Sequence, residues 1–330
     1  MADAARDPGG DDGGHRSGGT TGGAVCVFAP SLLLTVTIEQ HEDHAPRVHV
    51  HAGGQGYWVA RLVTRFDATS VLCATFGGET GRVLRPIVTD DGIDGRGVVT
   101  AGDTGSYVHD RRDGDRDVLV ETDQPPLDRH ELDELYTITL GAAIEAGVCV
   151  LAGSRPDDVV PHDSYRRLAR DLRENDVAVV ADLSGDQLGS ALDGGVDVLK
   201  VSHRELVDAG WAEGDDRDAL LSGMRRVVEA GARAVVVSCA EQPALAFVGD
   251  VWYEVAAPQM EELDHRGAGD SMTAALAVAI ARGVEPVEML ATAAAAGALN
   301  VTRHGLGSGD PDTIAQLARR VAVTPLDVDG

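Results

Sequence analysis

Two rhythms of apolar and polar positions divide this chain. The short rhythm dominates up to about Val120. Ala24 to Phe28 is a short apolar run, the pattern of a buried strand. LLLTVTIEQ (Leu32 to Gln40) and RVHVHAG (Arg47 to Gly53) then alternate around the polar HEDHAP, which predicts a hairpin. AGGQGYWVARLV (Ala52 to Val63) is a glycine-rich turn opening a helix. Val71 to Gly81 reads as a strand running into a glycine turn, with a helix around Arg82 to Asp90. Val98 to Val120 contains a second hairpin, SYVHD and DVLVE about an RDGD turn.

From Leu132 the rhythm lengthens. Leu132 to Ala146 and His162 to Glu174 are helix candidates. Val148 to Leu151, Val177 to Ala181, Val196 to Lys200 and Ala234 to Ser238 are short apolar strands. This alternation predicts an α/β fold whose parallel sheet is covered on both faces. HRGAGDSMTAALAVAIARG (His265 to Gly283) closes the pattern. Its apolar positions Met272, Ala275, Leu276, Ala279 and Ile280 keep helical spacing, and Gly283 marks a stop. AAAAGALN (Ala293 to Asn300) is a small-residue helix, and GLGSG (Gly305 to Gly309) is a turn.

Composition narrows the class. At 330 residues and 43% hydrophobic, with mean hydropathy −0.08, the chain can bury a sizeable core. No apolar run is long enough to span a bilayer, and the start MADAARD lacks a secretion core, so a cytoplasmic location is expected. Residues 1–23, rich in Gly and Asp, read as a disordered tail. The net charge of −26 argues against a nucleic-acid face. Cys26, Cys73, Cys149 and Cys239 are far apart in apolar runs and are expected to be buried free thiols. His49 and His51 share a strand face without a third metal ligand, and HEDH lacks the HExxH spacing. The acidic stretch from Asp110 to Asp117 lacks the spacing of a calcium loop.

The chemistry concentrates at Gly267–Ala268–Gly269–Asp270. Small residues let a ligand approach the backbone, and the free N–H groups at a helix start attract a phosphate. A carboxylate there would repel that phosphate, but it can take a proton from a hydroxyl attacking phosphorus. The other reading makes Asp270 a helix cap and the glycines a tight turn. GxxxxGK[ST] is missing, since Lys200 follows Leu199, and APSLLL rather than GxGxxG follows the first strand. A P-loop kinase and a dinucleotide oxidoreductase are therefore excluded.

GAGDSM at this depth resembles the C-terminal signature of the ribokinase/PfkB family of sugar kinases, in its 1-phosphofructokinase-like branch. The resemblance runs from about Ala24 to the C-terminus. Gly53, Gly54, Gly56, Val59 and Ala60 match the family's GGKGINVA, ADLSGDQL (Ala181 to Leu188) matches its DxSG stretch, and GSRP (Gly153 to Pro156) stands where it has GSLPPG. Lys200 and Glu205 match KPNxxEL, with Val201 and Ser202 replacing Pro and Asn. Ser238 matches the nucleotide hairpin, where Ala240 and Pro243 replace glycines. Four sugar-contacting positions depart: Leu33 for Asp, Gln55 for Lys, Trp58 for Asn and Gly105 for the lid Arg.

The resemblance implies a ribokinase-like, doubly wound, mostly parallel sheet over residues 24–330. A small β lid forms from about 32–52 and 97–122. It implies Asp270 as catalytic base, with Gly267, Ala268 and Gly269 as the anion hole. Gly53, Gly54, Gln55, Trp58 and Ser154 line the acceptor site. Lys200, Ser238 and Asn300 serve ATP, and Glu205 serves Mg²⁺. Arg266 either contacts a phosphate or is a surface Arg. The implied function is ATP-dependent phosphorylation of a primary hydroxyl on a sugar phosphate, with fructose 1-phosphate or ribose 1-phosphate as acceptor. The alternative is a non-catalytic sensor of sugar phosphate or nucleotide. A homodimer through the exposed lid edges is expected.

Overall fold

The computed structural model describes residues 22–40, 45–114, 116–261, 265–302 and 307–328. The expected tail through residue 21, the HEDH turn at 41–44 and the start of GLGSG lie outside the described residues.

The first half of the chain forms β1 (Ala24–Ala29), β2 (Leu33–Gln40), β3 (Pro46–Gly53), α1 (Gln55–Arg65), β4 (Thr69–Thr75), α2 (Gly78–Asp90), β5 (Asp94–Val98), β6 (Gly105–Asp110), β7 (Asp117–Thr122) and α3 (Arg129–Ala146). The second half begins with β8 (Val148–Ala152), α4 (Asp163–Glu174), β9 (Ala178–Asp182), α5 (Gly185–Gly194), β10 (Val196–Ser202), α6 (His203–Asp208), α7 (Arg217–Glu229) and β11 (Ala232–Cys239). It continues with β12 (Gln242–Val248), β13 (Val251–Ala256), α8 (Ala268–Ala281), α9 (Pro286–Asn300), α10 (Pro311–Ala318) and β14 (Ala322–Leu326).

A 10-stranded sheet runs β14-β13-β12-β11-β10-β9-β8-β1-β4-β5. Neighbours from β11 to β5 are parallel, because helical crossovers return the chain to the same end. The last three strands, β12, β13 and β14, are antiparallel. A two-residue turn causes one reversal: Gly249 and Asp250 both take positive φ, 59° and 64°, as a type I′ hairpin requires.

The interior strand β1 shows why the sheet is covered on both faces. Val25, Val27 and Ala29 of β1 enter one core with α1, α8 and α9. Cys26 and Phe28 enter the opposite core with α3, α4 and α7. Each Val or Phe so buried contributes about 1.5–3 kcal/mol. α8 is buried on all sides from Ser271 to Ala279, so its neighbours must be small. A Cβ on Gly297 of α9 would lie 2.9 Å from Met272 Cγ. Cys26, Cys73 and Cys149 are buried free thiols as expected, whereas Cys239 is only half-buried.

The second sheet has four strands in the order β3-β2-β6-β7 and is the expected lid. Its two hairpins join through a parallel β2–β6 pairing, Leu33 opposite Gly105 through Ile38 opposite Asp110. The second lid segment is shorter than expected at its start. Val98 pairs with Thr75 at the edge of the large sheet, so the lid strand begins only at Gly105. α2 likewise starts at Gly78, earlier than the expected Arg82, because the glycine turn itself is helical.

Candidate active site

Ligands in open α/β sheets bind at the carboxyl ends of the strands, where the strand order reverses. Here β1 lies between β4 and β8, so the reversal falls at the β1–β8 boundary. Ser31 after β1 and Gly153–Ser154–Arg155 after β8 meet there, and the Arg155 amide donates to Ser31 Oγ at 2.9 Å. Ser154 is 5% exposed and locked from both sides. Its amide donates to Gln187 Oε1 at 3.2 Å, and its hydroxyl accepts from Gln187 Nε2 at 2.9 Å.

Gly53 ends β3 and Gly54 caps α1. A Cβ on Gly53 would lie 2.9 Å from Thr35 Oγ1, and Gly54 has φ 99° with Ser31 O only 3.3 Å from a Cβ. Both glycines are therefore demanded by the close approach of lid and core.

The Gly267–Gly269 loop enters α8 through Gly267, which has φ 71° and is the helix cap. Asp270 is thus the third residue of the helix, which removes the reading of Asp270 as its cap. Ala268, Gly269 and Asp270 form the first turn, whose amides have no carbonyl four residues back. Asp270 faces Asp182, Lys200 and Glu205. Desolvation, then the Asp182 and Glu205 charges, push its carboxyl up to about 7 against the pull of Lys200. A carboxylate poised near neutrality is suited to accept a proton.

Beneath the loop lies a charged cluster. Lys200 is 4% exposed, and its Nζ lies 3.6 Å from Asp182 Oδ1. Burial pulls the ammonium down, but Asp182, Glu205 and Asp270 outweigh it and hold it above its ordinary range. A Cβ on Gly269 would come within 2.2 Å of that Nζ, so the lysine is the floor of the loop. Asp182 is 3% exposed and accepts from Thr273 Oγ1 at 2.6 Å. Burial pushes its carboxyl up. Asp182 lies within the ADLSG stretch, and neither it nor Thr273 is marked by its own sequence neighbours. A carboxylate at the end of a parallel strand was the available signal.

Several expected site residues have other work. Gln55 Oε1 accepts from the Gly153 amide at 2.9 Å. Trp58 is largely buried. It is 9% exposed, edge-on to Tyr57 at 4.8 Å between centroids, with His51 at 6.0 Å. Asn300 is engaged within the fold. Its Nδ2 donates to Arg266 O at 2.6 Å and its Oδ1 accepts from Ser271 Oγ at 3.2 Å, so it pins the loop ahead of α8. The Arg266 backbone is held there, while its charge bears on His109 of the lid. Ser238 lies at the carboxyl end of β11, with its carbonyl 3.2 Å from His203 Nδ1.

Glu205 is the third residue of α6, and one of its oxygens accepts from the Ser202 amide at 2.8 Å and the Ser202 hydroxyl at 2.7 Å. Among the described residues no group of three or more His, Cys, Asp or Glu could cage a metal. Three carboxylates, Asp182, Asp270 and Glu205, nevertheless face a single cation, Lys200. This donor set fits a magnesium ion brought in on phosphate oxygens and met by Glu205, which would neutralise charge on the triphosphate.

A doubly wound sheet with a β lid, and a carboxylate in the first turn of a helix behind a glycine loop, defines a phosphotransferase acting on an alcohol group. The chain belongs to the pfkB family of carbohydrate kinases, whose model matches residues 30–313. It is 27% identical over 312 residues to 1-phosphofructokinase of Bacillus subtilis, covering 89% of this chain and 100% of that one. It is 28% identical over 307 residues to ATP-dependent 6-phosphofructokinase isozyme 2 of Mycobacterium tuberculosis, covering 91% and 89%. The fold matches the crystal structure of a putative phosphofructokinase from Staphylococcus aureus with a TM-score of 0.80 at 21% identity, covering 92% of this chain and 99% of that one. Among the described residues no helix is long and apolar enough to cross a membrane.

Proposed function

We propose that the protein transfers the γ-phosphoryl group of ATP, with Mg²⁺, to a primary hydroxyl of a sugar 1-phosphate. The acceptor is fructose 1-phosphate or ribose 1-phosphate, and the products are the bisphosphate and ADP. The observation that carries this reading is Asp270, third in α8 behind the left-handed Gly267, with its carboxyl pushed up to about 7. Asp270 takes the hydroxyl proton as the acceptor oxygen bonds to phosphorus and the bond to ADP breaks. The first-turn amides of α8 stabilise charge on the phosphoryl group in transit, and Lys200 backs the loop from below.

A phosphorylated acceptor is supported by the charge on the lid's inner face. His109 is 2% exposed, with its Nε2 3.0 Å from Thr37 Oγ1. Burial, then Arg111, His51 and Arg266, push its imidazole below the ordinary range. Arg111 and Arg266 thus bring positive charge to bear near the lid of a chain whose net charge is −26, where an anion would be welcome.

The test is ADP release from ATP and Mg²⁺ across sugars and sugar phosphates, at low and molar salt, with Asp270→Asn beside the wild type. Turnover on one sugar 1-phosphate, reduced about 10²-fold or more in the variant, is expected. Near-normal turnover in Asp270→Asn removes the base. Nucleotide binding without transfer to any acceptor favours the sensor.

A further inference from the structure

We propose that Asn300 is a positioning residue. Its amide clamps the chain on both sides of the Gly267–Asp270 segment, and so holds the first-turn amides of α8 in the geometry that phosphoryl transfer needs. This rests on the kinase reading above.

The two arms of the clamp bracket the loop. Asn300 Nδ2 donates to Arg266 O at 2.6 Å, one residue before Gly267. Asn300 Oδ1 accepts from Ser271 Oγ at 3.2 Å, one residue after Asp270. The orientation of the amide follows from its partners. A carbonyl only accepts, so the NH₂ must face Arg266, and the oxygen is left for the Ser271 hydroxyl. Asn300 and Ser271 are both buried, so neither side chain can exchange its partner for bulk water.

The loop has little else of its own to hold that entry. The turn before the helix is closed by the Ala268 amide on His265 O at a long 3.4 Å, and the first α-helical bond is Ser271 N to Gly267 O at 2.9 Å. Gly267 is left-handed, so the chain changes direction between the two clamped points. Asn300 is the last residue of α9, and Gly297, one turn earlier, lies on the same side of that helix. A Cβ on Gly297 would meet Met272 Cγ at 2.9 Å and Ala268 O at 3.4 Å. The missing side chain at 297 thus lets α9 approach the first turn of α8, and the amide at 300 fastens it there.

Hydrogen-bond donors stabilise charge in transit only when they sit within a few tenths of an ångström of the reacting oxygen. Asn300 therefore acts through the loop, and its loss should appear in the chemical step rather than in nucleotide affinity. Its two polar atoms are already committed within the fold, one to Arg266 and one to Ser271.

The experiment compares wild type with Asn300→Leu, Asn300→Asp and the gentler Ser271→Ala. Leu keeps nearly the same size and makes neither bond. Asp keeps the acceptor for Ser271 and loses the donor for Arg266. Affinity for ATP with Mg²⁺ is measured by direct binding, and kcat and KM with the acceptor found in the panel. Both Asn300 variants are expected to lose about tenfold or more in kcat, with nucleotide affinity within about twofold of wild type. Ser271→Ala should fall in the same direction by less. Weakened ATP binding with kcat kept would make Asn300 a nucleotide contact, and unchanged kcat would make it inert; either overturns the proposal. Amide hydrogen exchange of the unliganded proteins gives a readout that needs no turnover. Exchange at residues 267–271 should quicken by about tenfold or more in Asn300→Leu, with β8 to β11 unchanged. If the wild type phosphorylates nothing, the kinase reading fails by itself, and exchange then decides the clamp. Quickening confined to the loop supports it. Unchanged exchange, or quickening throughout the molecule, rejects it.

Discussion

Asp270, the proposed base, carries a cost. Its carboxyl is pushed from the ordinary range near 3.8 up to about 7. Between those values the folded protein holds a proton that the unfolded chain has released, so stability falls as pH rises through that window. The charge is fully expressed above about 7, where the base is also competent. Two outcomes follow. In the unliganded enzyme kcat/KM should rise as pH passes through about 7 and then level, read from initial rates at limiting acceptor. Asp270→Asn should melt higher than wild type at neutral pH, by about 2 °C or more, and lose that advantage at pH values near 4. A variant that melts lower at neutral pH would mean the site does not strain this carboxylate.

Elements were read from the sequence to different depths, and the reasons are local. The strands β8 to β11 are short apolar runs bounded by helices, and their positions were legible because both of their faces are buried. β14 was not legible. It is an edge strand, mostly exposed, and contains Pro325, so it shows neither alternation nor an apolar run. The glycine loop and helix around Asp270 were legible because they are adjacent in sequence. The Asp182–Thr273 contact was not, because it exists only where β9 and α8 converge. The bond from Asn300 to the Arg266 carbonyl was hidden for the same reason, since the two are distant in sequence.

The β11–β12 turn shows a position where family glycine has become alanine while the backbone kept the glycine conformation. Ala240 has φ 49°. An L-residue there costs about 1–2 kcal/mol, partly offset by the entropy glycine would add to the unfolded chain. Ala240→Gly is expected to stabilise the protein by about 0.5–1 kcal/mol in chemical unfolding. A destabilised variant would mean that the turn relaxes around the methyl group.

At the scale of the molecule, charge and the lid govern behaviour. A net charge of −26 repels itself across the surface. Raising salt from about 0.1 M to about 1 M shortens the Debye length from about 10 Å to about 3 Å. The melting temperature should therefore climb with KCl, and a flat response would show that local pairing already balances the surface. The lid carries an apolar stripe: Val36 opposes Val50 and Val108, and Val108 opposes Val120. Val48, Val50 and Val120 are 63%, 47% and 49% exposed. We propose that a second copy covers this stripe. Sedimentation should give a homodimer, and Val50→Glu should give a monomer; a monomeric wild type would reject the assembly.

The place of β1 in the sheet bears on how the chain is made. Among the described strands β1 is made earliest, yet it lies inside the sheet between β4 and β8, with Cys26 opposite Cys149. Its flank toward β4 can be filled early, but the other must wait until the lid, α3 and β8 have all been synthesised. For that interval the nascent chain exposes a parallel strand with one open edge, the kind of surface on which misassembly begins. Slow non-local closure, rather than helix formation, is therefore expected to set the pace at which the protein matures.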